Sequence, residues 1–193
     1  MDDQGRDEKA GSSGTIIAVI IIIVVVVVGF VMFGKKGMYE PIVAGKAAPA
    51  FELPDLDGNM VPLSKYKGKV IFLNFWATWC KPCEEEMPSM QYLYNKLRSR
   101  NFEMVAVSID SKGGNDVQEF VEKYGISFPV LRDKKGKVKE TYKTTGVPET
   151  FIIDQNGVVV EKVRGPREWS APYATKVIYD LLDSPPKPSE PLP

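Results

Sequence analysis

The chain has 193 residues, room for one domain with appendages. Its 25 Lys and Arg balance its 25 Asp and Glu, so no basic surplus draws it to nucleic acid. With no histidine and two cysteines it lacks Ser-His and Cys-His catalysis and most transition-metal sites, and acid–base work falls to Glu, Asp, Lys, Tyr or the thiols.

Residues 1–14 are polar and rich in Gly and Ser, and read as a disordered tail. Residues 15–33 carry no charge, and 13 of these 19 are Ile or Val. As a helix they would span about 28 Å, close to the ~30 Å hydrocarbon core of a bilayer. A lone strand cannot satisfy its backbone in lipid, so a transmembrane helix is the reading despite the β-branched composition. A cleavable signal peptide is the alternative. Against it, no A-x-A-like site follows and the leading residues are acidic rather than basic. Arg6 and Lys9 precede the span and Lys35 and Lys36 follow it, so the local positive-inside count is neutral or points weakly to a cytoplasmic C-terminal side.

Residues 34–46 read as a linker, and 47–183 as the folded domain. Within 47–66, two strand-like pieces flank the turn signal Asp57-Gly58, and Ser64 is placed to cap a short helical turn. Val70–Trp76 is short, aromatic and β-branched, a buried strand. Residues 84–100 are helical, with Met87, Met90, Tyr94 and Leu97 on one face and a kink expected at Pro88. A strand is predicted over 102–109, a helix over 116–124 ending at Gly125, a strand over 128–131 and a helix over 134–142. Strands over 150–153 and 158–163 are joined by the hairpin signal Asn156-Gly157, and a last helix covers 169–182. Residues 184–193 hold five prolines and read as a disordered tail. Crossover helices followed by a hairpin imply an α/β fold: a mixed central β-sheet flanked by helices.

Chemistry concentrates at Cys80-Lys81-Pro82-Cys83, between the strand at 70–76 and the acidic start of a helix. Pro82 suits a first helical turn, and Glu84, Glu85 and Glu86 complement the helix dipole. Two cysteines at this spacing can close a small disulfide, and the same spacing serves zinc. Structural zinc takes four ligands, mostly Cys and His, which this composition lacks, so no metal is expected. A helix start favours a thiolate, which makes Cys80 the candidate nucleophile and Cys83 the resolving thiol. Three nearby carboxylates push the other way, so the sign of the net shift stays open. An inert structural staple is the bland alternative. Glu86 lies three residues beyond Cys83 on the same helical face and is a candidate proton acceptor. The alternative is a solvated dipole charge, the reading preferred for Glu84 and Glu85. Trp79 flanks the approach to Cys80 as an apolar rim. Trp76 and Trp169 read as core.

The segment FLNFWATWCKPCEEEMP resembles the active-site segment of thioredoxin-like thiol-disulfide oxidoreductases of the membrane-anchored TlpA/ResA/CcmG (DsbE) branch, in which WCxPC is followed by an acidic residue and a Pro. The resemblance continues through APAFELPDLDGNMVPLSKYKGK, FEMVAVSID and GVPETFIIDQNGVVV, over about residues 47–182. It implies the thioredoxin fold, with 111–145 as the helix–strand insertion of this branch. It also implies a redox-active Cys80–Cys83 disulfide and a cis-Pro148 facing it, with Val147 offering its main chain to substrate. Glu86 aligns with the branch's acidic residue, whereas Glu149 stands where Thr or Ser is usual.

The resemblance further implies a monomer in the cell membrane, anchored by 15–33, with its domain on the extracytoplasmic side. It would reduce oxidised protein thiols, apocytochrome c among them, with electrons from a membrane thiol-disulfide donor and no cofactor. A disulfide oxidase or isomerase would use the same residues. A thiol peroxidase is a third reading, although ATWCKPC lacks the usual Thr/Ser-x-x-Cys setting. A copper-handling module would need a longer Cys spacing and a distal His. A non-enzymatic anchored module would use the CxxC only as a staple.

Overall fold

The computed structural model describes residues 12–34, 44–111 and 116–184. Residues 1–11, 35–43 and 185–193 lie outside these, and with them most of the expected N-terminal tail, linker and Pro-rich tail. The chain divides into two compact units, Met1–Pro41 and Ile42–Pro193.

The first unit contains helix α1 (Ser12–Gly34), 23 residues without Asp, Glu, Lys or Arg in their sequence. Its described side chains, at 16–26 and 28, are exposed. Among the described residues no helix is long and apolar enough to cross a membrane.

The second unit is built on a five-stranded mixed sheet. A small antiparallel hairpin comes first, β1 (Glu52–Pro54) with β2 (Met60–Pro62), turning at Asp57-Gly58. A 3-10 turn, Leu63–Tyr66, follows directly on Pro62, so Ser64 sits inside it rather than capping it; its carbonyl accepts from Lys67 N–H. Then come β3 (Val70–Trp76), α2 (Lys81–Leu97), β4 (Phe102–Ser108), α3 (Asp116–Lys123), β5 (Val130–Arg132), α4 (Lys137–Thr141), β6 (Glu149–Ile153), β7 (Val159–Arg164) and α5 (Pro172–Asp183). The sheet order is β5-β4-β3-β6-β7. β3, β4 and β5 are parallel, as crossover helices require, while β6 and β7 run antiparallel to their neighbours.

β3 is central and buried at all seven positions, which explains its lack of polar alternation. Val70, Phe72 and Trp76 face one side with Met104, Ala106 and Ile152, under α2, α3 and α5. Ile71, Leu73 and Phe75 face the other with Val105, Val107, Phe151 and Ile153, under α4 and the β1–β2 hairpin. The insertion between β4 and β6 supplies α3 to one face, the edge strand β5, and α4 to the other.

Local chemistry sets the boundaries. Gly157 (φ +83) completes the β6–β7 turn, where Asp154 Oδ1 accepts from the N–H groups of Asn156 at 3.0 Å and Val158 at 2.8 Å. Gly125 (φ +59) ends α3 in the left-handed conformation that glycine takes without penalty. The linker expected over 34–46 ends before Gly45. Gly45 N–H donates to Val159 O at 2.8 Å and Val159 N–H to Lys46 O at 2.9 Å, so these residues extend the sheet edge. α2 starts at Lys81, three residues before the predicted start, and runs on through Pro88. α5 starts at Pro172 rather than at 169, because proline has no N–H to leave unpaired at the first position.

Candidate active site

β3 delivers the chain to the site. Ala77 O accepts from Cys80 N–H at 3.2 Å, and Cys80 then caps α2: its Sγ accepts from Cys83 N–H at 3.2 Å and its carbonyl from Glu84 N–H at 3.1 Å. A cysteine is not a usual cap, which is why sequence reading starts this helix too late. The sulfur of Cys80 thus meets the backbone N–H groups and positive dipole end of α2. Cys80 and Cys83 are disulfide-bonded, with S–S 2.09 Å and Cα–Cα 5.3 Å. Cys80 is 5 % exposed and Cys83 fully buried.

The loop before Cys80 is clamped from β4. The Asp110 carboxylate accepts from Thr78 N–H at 3.1 Å, Thr78 Oγ1 at 2.8 Å and Ser108 Oγ at 2.8 Å. Trp76, before this loop, is buried against Phe120 at 4.7 Å. Trp79, within it, is 69 % exposed beside the disulfide.

The three carboxylates of the helix start have three fates. Glu85 is exposed. Glu84 turns toward α3, in contact with Tyr124 Oη and paired with Lys81 at 3.3 Å and Lys123 at 3.9 Å. The Tyr124 hydrogen bond, aided by the lysines, lowers its pKa. Glu86 points inward and is 4 % exposed. Its Oε1 accepts from Asn74 Nδ2 at 3.1 Å; its Oε2 accepts from Arg167 N–H at 3.2 Å and Trp169 Nε1 at 3.3 Å. Burial pushes its pKa up to about 7, and the three donors only partly offset this. Glu86 is therefore poised to take or give a proton near neutral pH.

This surround extends further than the sequence indicated. Asn74 Nδ2 also donates to Thr150 Oγ1 at 3.0 Å, and Ser89 Oγ accepts from Trp169 N–H at 3.1 Å. Trp169, expected as core, is buried and edge-on to Phe72 at 4.6 Å, yet its polar edge belongs to Glu86. One signal for Asn74 was available: a polar residue inside an apolar strand needs a buried partner.

The Val147–Pro148 bond is cis. Phe75 pairs with Glu149, so Pro148 lies at the end of β6 that adjoins the C-terminal end of β3, the end from which the chain enters Cys80. Pro148 O accepts from Gly165 N–H at 2.9 Å. Glu149, one residue on, faces the opposite side of the sheet from Thr150. It is buried there with its carboxylate 3.3 Å from Lys162 Nζ and 3.5 Å from Arg164 Nε. Among the described residues no cluster of His, Cys, Asp or Glu could hold a metal ion.

Residues 44–162 match the AhpC/TSA family. The chain is 42 % identical over 139 residues to the thiol-disulfide oxidoreductase ResA of Bacillus cereus, covering 72 % of this chain and 80 % of the relative. It is 43 % identical over 141 residues to ResA of Bacillus anthracis, with the same coverage of 72 % and 80 %. Among solved structures, a Chlorobium tepidum protein assigned as thiol:disulfide interchange protein DsbE superposes with a TM-score of 0.68 at 35 % identity, over 73 % of this chain and 99 % of that one. StoA from Bacillus subtilis superposes with a TM-score of 0.57 at 25 % identity, over 67 % and 94 %. The chain belongs to the AhpC/TSA family, with the ResA and DsbE proteins of its thioredoxin-like fold, and is a thiol-disulfide oxidoreductase.

Proposed function

We propose that this oxidoreductase is a membrane-anchored reductant of protein disulfides on the extracytoplasmic side, with the cysteines of apocytochrome c among its substrates. The observation that carries the catalytic part is Glu86, a buried carboxylate one helical turn beyond the buried Cys83, with its pKa near 7. In the reduced enzyme the Cys80 thiolate attacks a substrate disulfide. One substrate sulfur leaves as a thiolate and the other is held as a mixed disulfide. Glu86 takes the Cys83 proton. The Cys83 thiolate then attacks Cys80 Sγ, forming the enzyme disulfide and releasing the second substrate sulfur with its electron pair. Val147, set by the cis bond to Pro148, offers main-chain groups to an extended substrate, and exposed Trp79 supplies an apolar rim. The oxidised enzyme is returned to the dithiol by a membrane thiol-disulfide donor.

Support for the anchor is the sequence of α1, 23 residues without a charge, about 34 Å long as a helix. The side of the membrane follows from the family resemblance, against the local positive-inside count.

An equilibrium redox titration of the full chain in detergent micelles, read by Trp fluorescence and thiol alkylation, tests the direction. A two-electron potential at or below about −250 mV supports the reductant; one between about −120 and −180 mV assigns an oxidase or isomerase instead. Cysteines that resist both reduction and alkylation would reduce the pair to a structural staple.

A further inference from the structure

The turn between β5 and α4 carries three exposed lysines, Lys134, Lys135 and Lys137. Its shape is fixed from inside. Asp133 is buried; its Oδ2 accepts from Lys139 N–H at 2.8 Å and its carbonyl from Gly136 N–H at 2.9 Å. Gly136 takes φ +67, a conformation that a side chain would strain, and its carbonyl accepts from Glu140 N–H at 2.9 Å. Val138, next along, is buried. The one acid of the turn is thus folded inward onto backbone donors, and its charge does not serve the lysines. Elsewhere a surface lysine usually finds a carboxylate: Lys69, Lys81, Lys123 and Lys176 each pair with one. None of the ion pairs among the described residues includes Lys134, Lys135 or Lys137. Sheet register sets this turn beside the disulfide. Trp76 pairs with Ser108 and Ser108 with Arg132, so the parallel strands β3 and β5 end level with each other. From Trp76 the chain runs on into Cys80; from Arg132 it runs on into the lysines. The two strand ends stand two spacings apart, about 10 Å. The exposed acids Glu119 and Glu122 belong to α3, whose Phe120 packs on one face of the sheet, whereas Val138 of α4 packs on the other.

We propose that the Lys134–Lys137 turn is a docking surface for acidic segments of partner proteins, whose carboxylates meet these lysines while their disulfide meets Cys80. The inference rests on the reading of this oxidoreductase as a reductant of protein disulfides, and it names the partner by its charge. Exposed Trp79 offers apolar contact that discriminates little between sequences; the lysines add a preference. Three like charges about 10 Å from the disulfide lie within one screening length at 0.1 M salt, so they draw an acidic chain toward Cys80 and repel a basic one. Because the turn is held by Asp133 and Gly136, its charges are positioned before the partner arrives and little ordering is needed on binding. An anionic lipid surface would attract the same lysines. Laid against lipid, however, this sheet end would also turn Trp79 and Cys80 into the membrane surface and close them to a protein. The shared position of lysines and disulfide therefore favours a protein partner.

The test uses the reduced full chain in micelles of an uncharged detergent. It is mixed with synthetic peptides that each carry one internal disulfide, flanked by Asp and Glu, by Lys, or by Ser and Asn. Each turnover oxidises Cys80 and Cys83 to their disulfide and reduces the peptide disulfide to two thiols, and stopped-flow Trp fluorescence gives the second-order rate. The acidic peptide is expected to react about tenfold faster than the basic one at about 20 mM salt, and the gap to close to within about twofold at about 0.5 M. Lys134→Glu, Lys135→Glu and Lys137→Glu, combined in one variant, are expected to reverse that order at low salt while the uncharged peptide stays within about twofold. Exchange of the lysines for Gln is expected to abolish the preference without reversing it. A reversal of sign is a result that a folding defect does not produce. Equal rates for the three peptides with the unaltered chain overturn the docking surface and leave the reductant reading standing. Equal slowing of all three by the Glu variant overturns it as well. If no peptide is reduced, the reductant reading falls and the docking surface falls with it. The lipid alternative is read from amine labelling of the chain reconstituted in phosphatidylcholine vesicles with and without phosphatidylglycerol. Protection of the three lysines only by phosphatidylglycerol, together with equal peptide rates, would assign them to the membrane instead.

Discussion

The indole N–H of Trp169 donates to Oε2 of Glu86 at 3.3 Å, across 83 residues of sequence. The contact joins the segment before the last helix to the acid of the first active-site turn. Together with Arg167 N–H and Asn74 Nδ2 it stabilises the ionised form, holding the pKa near 7 where burial alone would drive it higher. Trp169→Phe keeps a ring against Phe72 and removes one donor. The pH midpoint of mixed-disulfide resolution is expected to rise by about one pH unit, since one charge-assisted hydrogen bond contributes on the order of 1.5 kcal/mol. Single-turnover rates between pH 5 and 9 check this. A purely structural role for Trp169 would lower the rate without moving the midpoint.

The same carboxylate sets a stability signature. Its pKa is raised from an ordinary 4.5 to about 7, so between those values the folded protein binds the proton more tightly than the unfolded chain. Stability from this group therefore falls as pH rises through that window. Below it no penalty operates; above it the buried charge costs on the order of 3 kcal/mol. Glu86→Gln is expected to flatten that part of the pH dependence in urea unfolding of the oxidised protein. It also places an amide N–H₂ where three donors meet two oxygens, so below pH 5 the variant is expected to be the less stable of the two.

What the sequence could reveal was what short-range chemistry decides. The strand at 70–76, the helix after the CxxC and the turn at Asn156-Gly157 are encoded within a few residues each, and the structure has all three. The surround of Glu86 is assembled from Asn74, Ser89, Arg167 and Trp169, brought together only by the parallel crossover and the return of the chain beneath α2. Trp169 gave no local signal, because an indole in a core and an indole serving a carboxylate have the same pattern. Glu149 stood out beside Pro148, but strand alternation sends it to the opposite face from Thr150, where Lys162 and Arg164 compensate its burial.

Asp110 is expected to govern the approach to Cys80 without touching it. Its carboxylate holds Thr78 through both N–H and hydroxyl and takes a third bond from Ser108. Asp110→Ala leaves those donors without their acceptor, at about 2–3 kcal/mol of stability. Thermal unfolding measures that loss. The alkylation rate of reduced Cys80 and the emission of Trp79 report whether the loop is released. Asp110→Asn retains an oxygen for Thr78 and is expected to recover most of both readouts, which a simple loss of packing would not allow.

The division of labour between the cysteines gives the last prediction. Cys80 caps α2 with its sulfur at the backbone N–H groups, whereas Cys83 is fully buried one turn inside. Attack on an incoming disulfide therefore falls to Cys80, and Cys83 reaches only Cys80. Cys83→Ser is expected to stop the reaction at the mixed disulfide, accumulating one covalent adduct per chain with a disulfide-bonded protein. Cys80→Ser is expected to form none. Intact-mass measurement under non-reducing conditions distinguishes the two, and reductant should reverse the Cys83→Ser adduct completely. Adducts forming at equal rates in both variants would remove the basis for assigning Cys80 as nucleophile, because burial would then not control access to the sulfurs.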